Sequence, residues 1–247
     1  MIKEDVFQEI QEITAFLVHK GWAERNAGNY SYRLDEEGFK RLIDSTPEYR
    51  YRVYLDVDLE ALDTQGGFYA LLISLGNSRF RDVAKDPLAC SGIVLYESSG
   101  DFQSPNGRFS FISTHESVKP SSELVSHLMI HQYLAGNNPD KKAVLHSHPT
   151  YLIAYSHRYY GLTKEKLNEL LEEIMPEVGF YIPKRTGFVE LIAPGSSELA
   201  LATLKELANH DVVVWKKHGC LAVAETLWDA VDMMDILDKA AQIRLLI

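Results

Sequence analysis

The sequence predicts a single α/β domain in which a central, mainly antiparallel β-sheet is flanked by helices. Segments with the 3.6-residue apolar period of helices are interspersed with short strand-like segments along the whole chain. The 247 residues contain no internal repeat, low-complexity segment or obvious linker between domains. We therefore assign residues 1–247 to one domain, which is long enough to bury a sizeable core.

Composition and charge exclude several classes of protein. Hydrophobic residues make up 46% and charged residues 24% of the chain, as in soluble globular proteins. The net charge is −10 and no Lys/Arg cluster has the density of a nucleic-acid patch. No apolar run is long enough for a membrane span, and the N-terminus does not resemble a signal peptide. Cys90 and Cys220 form neither a disulfide framework nor a Cys-rich zinc site, so we expect a reduced, cytoplasmic location.

The first half of the chain alternates helices with strands and polar loops. Apolar residues at helical spacing predict a helix over residues 3–19, which Gly21 closes. The Asn/Gly-rich loop 22–29 can present amide groups to an anion, although a simple turn has the same composition. A second small polar loop spans residues 74–78. Strands are predicted at 30–34, 51–55, 68–74, 92–96 and 108–112, short helices at 36–43 and 80–84, and a turn-rich segment at 98–107.

The second half contains longer helices between short apolar strands. Ser121 or Ser122 is expected to cap a helix that runs to about Leu134, and amides at such a helix start also bind phosphate well. The last helix keeps its apolar period to Ile247 without a stop signal, so we expect either that the chain is cut short there or that its ending is disordered. Helices are predicted at 150–157, 162–174, 197–208 and from 227 onward, and strands at 180–182, 188–192, 211–215 and 220–224.

Three histidines follow or end predicted strands. His146 and His148 end the apolar strand that begins at Ala143, and residues two apart on a strand point the same way. Two imidazoles on one face can converge on one metal ion, although an isolated pair also fits ordinary polar residues at a strand edge. His218 follows the buried strand 211–215 in a matching context. Three imidazoles would make a catalytic metal site with coordination positions left open for substrate.

A second histidine pair lies on the predicted helix after residue 121. His127 and His131 are four residues apart, but Leu128 occupies the place of the glutamate in a zincin motif. We interpret these two histidines as core or surface residues. Glu123, at the start of the same helix, is compatible both with a first-turn acid that complements the helix dipole and with a site carboxylate.

These motifs resemble those of the class II aldolase/adducin family. The residues that carry the resemblance are Pro120-Ser121-Ser122-Glu123, His146-Ser147-His148 and His218-Gly219, in the family's order, and the resemblance covers nearly the whole chain. It implies a three-layer class II aldolase-like fold and a zinc-dependent lyase with one zinc ion per subunit. It also implies a ketose 1-phosphate substrate, cleaved to dihydroxyacetone phosphate and L-lactaldehyde, and a homotetramer with sites near subunit interfaces.

The resemblance further implies roles for individual residues. His146, His148 and His218 would bind zinc, and Glu123 would transfer the proton. Glu177 would act from the neighbouring subunit on the aldehyde side. An equal alternative is that Glu177 is a solvated acid that precedes a predicted strand at 178–182. Leu75 replaces a family glycine in the loop 74–77, so the resemblance does not identify which backbone amides would bind phosphate. The remaining residues implied in substrate and phosphate binding are Asn26, Gly28, Asn29, Gly76, Asn77, Ser121 and Ser122.

Several alternatives within and beyond this family stay open. The loop from Lys20 to Asn29, with its Arg-Asn-x-Gly-Asn pattern, resembles that of one aldolase of the family. It disfavours L-fuculose-1-phosphate aldolase and L-ribulose-5-phosphate 4-epimerase, which remain alternatives. A non-catalytic module similar to the adducin head would be expected to lack metal ligands, and all three histidines are present here. Three imidazoles also accept cobalt or manganese.

Overall fold

A computed structural model describes residues 3–55, 69–97, 108–158 and 161–247. The predicted turn-rich segment at 98–107 and the first residue of the predicted strand 68–74 lie outside these residues. The elements in chain order are α1 (Lys3–Lys20), β1 (Asn29–Leu34), α2 (Glu36–Asp44), β2 (Tyr51–Leu55), β3 (Tyr69–Ser74), α3 (Phe80–Val83), β4 (Ser91–Glu97), β5 (Arg108–Ser113), α4 (Leu124–Asn137), β6 (Ala143–Ser147), α5 (Thr150–Arg158), α6 (Lys164–Ile174), α7 (Glu177–Tyr181), β7 (Thr186–Val189), α8 (Ser197–Leu207), β8 (Val212–Trp215), β9 (Gly219–Ala224) and α9 (Leu227–Leu246).

The strands form one sheet in the order β2-β5-β4-β3-β1-β6-β9-β8-β7. All neighbouring pairs are antiparallel except β7 and β8, which are parallel at one edge. The predicted fold class, a mainly antiparallel sheet flanked by helices, is therefore confirmed. The central position of β1, β6 and β9 places the loop after β6 and the turn before β9 at the same end of the sheet.

Helices cover both faces of the sheet because its strands alternate apolar side chains between the faces. On β3, Ala70 and Leu72 face a core shared with α1, α5 and α9, whereas Leu71 and Ile73 face a core shared with α4. A further cluster joins α4 and α8 to β6, β8 and β9. The result is a three-layer arrangement, with β6 and β9 buried in the middle layer.

The segment after α6 is a helix, and the strand predicted there is wrong. Val178 and Ile182 are buried, while Phe180 between them is 76% exposed. A strand would place residues 178, 180 and 182 on one face, whereas helical spacing puts only 178 and 182 on the same side. Glu177 therefore begins the short helix α7 rather than preceding a strand. The strand predicted at 188–192 also begins earlier, as β7 (Thr186–Val189).

The predicted N-cap of α4 is also wrong, because Glu123, and not Ser121 or Ser122, occupies the position before the first helical residue, Leu124. The Ser121 N–H donates to the Ser74 carbonyl oxygen, and the Ser121 hydroxyl accepts from the Glu123 N–H at 3.3 Å. Pro120 forms an isolated bridge with Leu75. The chain therefore stays against β3 until Glu123, which occupies the N-cap position without a capping side-chain bond.

The structure also bears on the expectations about membranes and cysteines. In the described part of the chain, no helix combines the length and apolar character needed to cross a membrane. Cys90 and Cys220 are free thiols, half-buried and buried respectively.

Leu72→Ala tests the core between the sheet and its α1/α9 face. Leu72 is fully buried, so the substitution should lower the free energy of unfolding by about 2–5 kcal/mol. Urea denaturation measures this change. The matched control is Leu201→Ala on α8, where the leucine is 58% exposed and a change within about 0.5 kcal/mol is expected. Equal losses in the two variants would contradict the assigned layers.

Candidate metal centre and substrate cavity

Three imidazoles converge where β6 ends and β9 begins. The ring centroids of His146 and His148 are 5.1 Å apart, those of His146 and His218 are 4.9 Å apart, and those of His148 and His218 are 5.1 Å apart. One nitrogen from each ring lies within 4.8 Å of the other two. The structure thus brings together the three histidines that the sequence predicted as metal ligands, and this cluster can bind a metal ion.

Strand pairing positions these rings. β6 pairs with β9 so that Ser147 lies opposite Cys220, and β8 returns into β9 through a turn that contains His218. A Cβ atom at Gly219 would lie 2.5 Å from the Ser147 carbonyl oxygen and 3.0 Å from ring atoms of both His146 and His148. Only glycine permits this close approach of the two strand ends, so Gly219 is a structural requirement of the cluster.

Hydrogen bonds fix which nitrogen of two rings is free. His146 Nδ1 donates to the Cys220 carbonyl oxygen at 2.9 Å, and His148 Nδ1 donates to Glu24 Oε1 at 2.6 Å. Both rings therefore present an Nε2 lone pair, as metal-binding histidines do. His218 Nδ1 is buried and has no hydrogen-bond partner in the described part of the chain. The donor set fits a divalent metal ion.

Burial keeps the imidazoles of His146 and His218 uncharged. Desolvation lowers the pKa of His146 well below its usual range, and repulsion by His148 and His218 lowers it further. Desolvation also lowers the pKa of His218, and repulsion by His148 adds to this effect. These two imidazoles are therefore neutral at pH 7, which is the form that binds metal.

Trp215 packs against the cluster from one side. Its ring centroid lies 4.5 Å from that of His146 and 5.2 Å from that of His218, with which it stacks at 26°. The indole N–H donates to Thr203 Oγ1 at 2.9 Å, which fixes the orientation of the ring. Trp215 thus limits the rotation of two of the three imidazoles.

Glu123 lies in the same cavity as the histidines. Its Oε2 accepts a 2.8 Å hydrogen bond from Asn29 Nδ2, and both side chains are more than nine-tenths buried. Asn29 Oδ1 in turn lies 2.6 Å from His127 Nε2. The Asn29 side chain is therefore already held by Glu123 and His127, a role that the sequence did not reveal.

The cavity has a volume of about 600 Å³ and a predominantly polar lining. It is lined by the metal cluster, by Glu123 and by all seven residues predicted to hold the substrate and its phosphate. Among the described residues that line it, Lys119 is the one permanent cation. These lining residues are Asn26, Ala27, Gly28, Asn29, Leu75, Gly76, Asn77, Ser78, Ser117, Val118, Lys119, Pro120, Ser121, Ser122, Glu123, His146, His148 and His218.

Two of the backbone amides in the cavity are already used within the protein. The Gly76 N–H donates to the Lys119 carbonyl oxygen at 2.8 Å, and the Ser121 N–H donates to the Ser74 carbonyl oxygen at 3.0 Å. Leu75, which replaces the family glycine, is buried against β4 and α4. An anion at this end of the cavity would therefore meet side-chain donors of the serines and asparagines more than these two amides.

Gly28 is required by its backbone conformation and its neighbours. Its φ is +84°, and a Cβ atom there would lie 2.9 Å from the Phe80 ring and 3.0 Å from the His146 carbonyl oxygen. The loop that ends at Asn29 can therefore pass closely over β6. This close approach brings Asn26 and Gly28 to the cavity that His146 lines.

Other charged residues near the motifs do not line this cavity. Glu177 is exposed at the start of α7, outside the cavity of its own chain. Lys216 Nζ pairs with Glu190 Oε2 at 2.7 Å, and the Lys217 N–H donates to Ser156 Oγ at 2.9 Å. Neither lysine lines the cavity that the histidines form.

The sequence patterns did not single out Glu24, Lys119, Trp215 or the pair His127 and His131 as parts of the site. Glu24 lies within the loop 22–29, and Lys119 immediately precedes the Pro-Ser-Ser-Glu motif. The histidine pair was interpreted as core or surface, and both rings are indeed fully buried. The signal available for the pair was its spacing from Glu123, because residues four apart from the N-cap onward, at 123, 127 and 131, lie along one side of a helix.

The sheet brings three converging imidazoles and a buried carboxylate into one polar cavity, an arrangement that can bind a metal ion beside a proton-transferring group. The family described as Class II Aldolase and Adducin N-terminal domain matches residues 82–245. The chain belongs to the class II aldolase and adducin family.

Similar proteins include two rhamnulose-1-phosphate aldolases and one sugar-phosphate aldolase of known structure. The chain is 34% identical to a rhamnulose-1-phosphate aldolase of Bacteroides thetaiotaomicron, over 95% of this chain and 83% of the relative. It is 26% identical to one of Listeria innocua, over 98% of this chain and 85% of the relative. The structure is similar to a sugar-phosphate aldolase from Thermotoga maritima, with a TM-score of 0.77, 32% identity and coverage of 98% and 94% of the two chains.

Gly219→Ala tests the strand approach that builds the metal cluster. The new methyl group would meet the Ser147 carbonyl oxygen and two imidazoles, so the protein should lose most of its capacity to bind a divalent metal ion. Metal content after dialysis against Zn²⁺ measures this loss. The control is Gly136→Ala, where a Cβ atom meets nothing within 4 Å and metal content should not change. Full metal content in a folded Gly219→Ala protein would refute the proposed packing requirement.

Proposed function

We propose that the chain is a metal-dependent aldolase that cleaves L-rhamnulose 1-phosphate to dihydroxyacetone phosphate and L-lactaldehyde. The observation that carries this proposal is the convergence of His146, His148 and His218 beside Glu123 in one polar cavity. Two relatives that match most of the chain are rhamnulose-1-phosphate aldolases, which supports the choice of substrate.

We propose Zn²⁺ as the metal, one ion per subunit, with the three imidazoles as its protein ligands. Neutral imidazole nitrogens suit Zn²⁺, and a site with three protein ligands leaves coordination positions for substrate. When bound, such an ion would polarise the substrate ketone and stabilise the negative charge that develops during cleavage. Glu24 and the Cys220 carbonyl oxygen orient two of the rings toward this task.

Glu123 is proposed to carry the proton in the reaction. In the cleavage direction the C4 hydroxyl loses its proton, a carbonyl forms at C4, and the C3–C4 bond breaks. The bonding electrons remain on the dihydroxyacetone phosphate half as an enediolate. Solvent takes up the O4 proton and returns a proton to Glu123, which delivers it to C3; in the condensation direction Glu123 removes that proton from C3. The proton lost at O4 and the proton gained at C3 balance, so the overall reaction neither consumes nor releases a proton.

The phosphate group is proposed to lie at the end of the cavity away from the histidines, near Gly76, Asn77, Ser121 and Ser122. Because the N–H groups of Gly76 and Ser121 donate within the protein, the hydroxyl and amide side chains are the main donors in this proposal. Gly28 and Asn29 would also lie beside the phosphate, and Asn26 would contact the dihydroxyacetone part. The positive charge of Lys119 at this cavity would offset the acidic net charge of the chain.

The remaining assignments concern the assembly and its surroundings. We propose a homotetramer in which Glu177 acts at the cavity of a neighbouring subunit, on the aldehyde side. The exposed position of Glu177 at the start of α7 leaves it available for such a contact. A cytoplasmic location is proposed because the two cysteines are free and no described helix could span a membrane.

His146→Ala should remove Zn²⁺ binding and ketose 1-phosphate cleavage together. His146 is the most buried of the three ligands, so no water or neighbouring side chain can readily take its place. The test measures metal content and release of dihydroxyacetone phosphate from L-rhamnulose 1-phosphate, with and without a chelator. L-Fuculose 1-phosphate and L-ribulose 5-phosphate serve as comparison substrates. Chelator-resistant cleavage would refute the metal role, and faster turnover of a comparison substrate would refute the proposed substrate.

Glu123→Gln should keep the metal but slow exchange of the dihydroxyacetone phosphate C3 proton with solvent by about 10²- to 10⁴-fold, because the amide cannot act as a base. Exchange into deuterated water, followed by NMR, measures this step without the aldehyde. Glu190→Gln, at an exposed carboxylate that pairs with Lys216, is the matched control and should exchange at the wild-type rate. Unchanged exchange in Glu123→Gln would remove this carboxylate from the mechanism.

A further inference from the structure

A continuous chain of hydrogen bonds leads from the interior of the protein to Glu123. His131 Nε2 lies 2.7 Å from Ser31 Oγ, and Ser31 Oγ lies 2.6 Å from His127 Nδ1. His127 Nε2 lies 2.6 Å from Asn29 Oδ1, and Asn29 Nδ2 lies 2.8 Å from Glu123 Oε2. Two of these five side chains come from α4, one from its N-cap residue Glu123 and two from one face of β1. We refer to these five residues as the relay.

The relay is shielded from solvent along its whole length. Ser31, His127 and His131 are fully buried, and Asn29 and Glu123 are 8% exposed. Burial lowers the pKa of His127 to about 4 and that of His131 well below its usual range, so both rings are neutral at pH 7. A neutral imidazole has one N–H donor and one acceptor nitrogen, so each bond of the relay has a definite direction.

The carboxylate sets that direction. An ionised Glu123 can only accept, so the Asn29 amide group donates to it and the Asn29 carbonyl oxygen must accept. His127 then carries its proton on Nε2 and accepts from the Ser31 hydroxyl through Nδ1. Ser31 in turn accepts from the Nε2–H of His131. In this arrangement each of the four hydrogen bonds of the relay has one donor and one acceptor.

The opposite direction would leave a buried N–H without a partner. If the Asn29 amide were reversed, His127 and His131 would both carry their protons on Nδ1. His131 Nδ1 has no hydrogen-bond partner in the described part of the chain. An unpaired buried N–H is rarer and costlier than an unpaired acceptor nitrogen. His131 is therefore expected to leave Nδ1 without a proton, which is the arrangement in which the Asn29 amide N–H donates to Glu123.

We propose that His127 and His131 are positioning residues that lock the Asn29 side-chain amide and thereby hold the Glu123 carboxylate in place for proton transfer. This proposal rests on the proposed aldolase function for its kinetic consequences, but its structural part does not. Neither histidine lines the cavity, so neither is expected to touch substrate.

Histidine tautomers in the metal-loaded wild-type protein test the structural part directly. ¹⁵N-labelled histidine and long-range ¹H–¹⁵N NMR correlations distinguish Nε2–H from Nδ1–H rings. The variants His127→Gln and His131→Gln assign the two signals. We expect both rings to be neutral Nε2–H tautomers at pH 7. A proton on Nδ1 of either ring would overturn the proposal, whether or not the protein cleaves any sugar phosphate.

Kinetics of His131 variants test the positioning role. His131→Leu removes the donor to Ser31, and kcat should fall about 10- to 100-fold while KM and Zn²⁺ content stay unchanged. His131→Gln places a side-chain amide N–H near the same position and should recover most of the lost kcat. Leu134→Ala, at a buried leucine on the same helix, should lower stability without lowering kcat at a temperature where it is folded.

These experiments distinguish a failure of the positioning role from a failure of the proposed aldolase function. Wild-type kcat in His131→Leu, or no recovery in His131→Gln, would overturn the positioning role. An equal fall of kcat in Leu134→Ala would assign the effect to the general packing of α4 and overturn it as well. A wild-type protein without aldolase activity would refute the proposed function alone, and the tautomers would then decide the relay.

Discussion

The close antiparallel pairing of β6 with β9 is the constraint on which the site depends. It brings His218 to His146 and His148, although 70 residues separate His218 from His148. The distance between the strand ends is set by Gly219, whose missing side chain leaves the Ser147 carbonyl oxygen and two imidazoles in contact range. Because β6 also pairs with β1, opposite Asn29, the same strand links the metal cluster to the neighbourhood of Glu123.

Burial gives this cluster its chemical character. A solvent-exposed histidine trio would be partly protonated near neutral pH, and its members would repel a cation. Here desolvation and mutual repulsion lower the pKa of His146 and His218, so the protein keeps these lone pairs available. The free energy of gathering three imidazoles in the interior is offset by fixed partners: a carbonyl oxygen for His146, a carboxylate for His148 and the stacked indole of Trp215 for His218.

Local sequence patterns sufficed for most elements and for the three histidines, because each depends on periodicity or on a short motif. The errors have physical causes. The run at 178–182 is too short for its apolar composition alone to distinguish a helix from a strand. In the structure, the exposed side chain of Phe180 between buried Val178 and Ile182 identifies the helix. Ser121 fails as a cap because α4 begins only at Leu124, so its hydroxyl accepts from the N–H of Glu123, the N-cap residue, and not from an N–H inside the helix. The bonds of Glu24 to His148 and of Thr203 to Trp215 require the folded chain, since no local pattern encodes such pairings.

Four residues of α4 and two residues of β1 span nearly the same length, which explains why the hydrogen bonds of the relay repeat regularly between the two elements. Four residues of helix rise about 6 Å, and two residues of strand rise about 6.6 Å. Side chains at 123, 127 and 131 on the helix therefore advance in step with those at 29 and 31 on the strand, and each strand residue bonds to two successive helix residues. The two periods coincide only when the elements run side by side in this register. A shift of one residue in β1 would turn Asn29 and Ser31 to the opposite face and leave both histidines without partners, so the polar bonds specify the register of the strand as well as the orientation of Glu123.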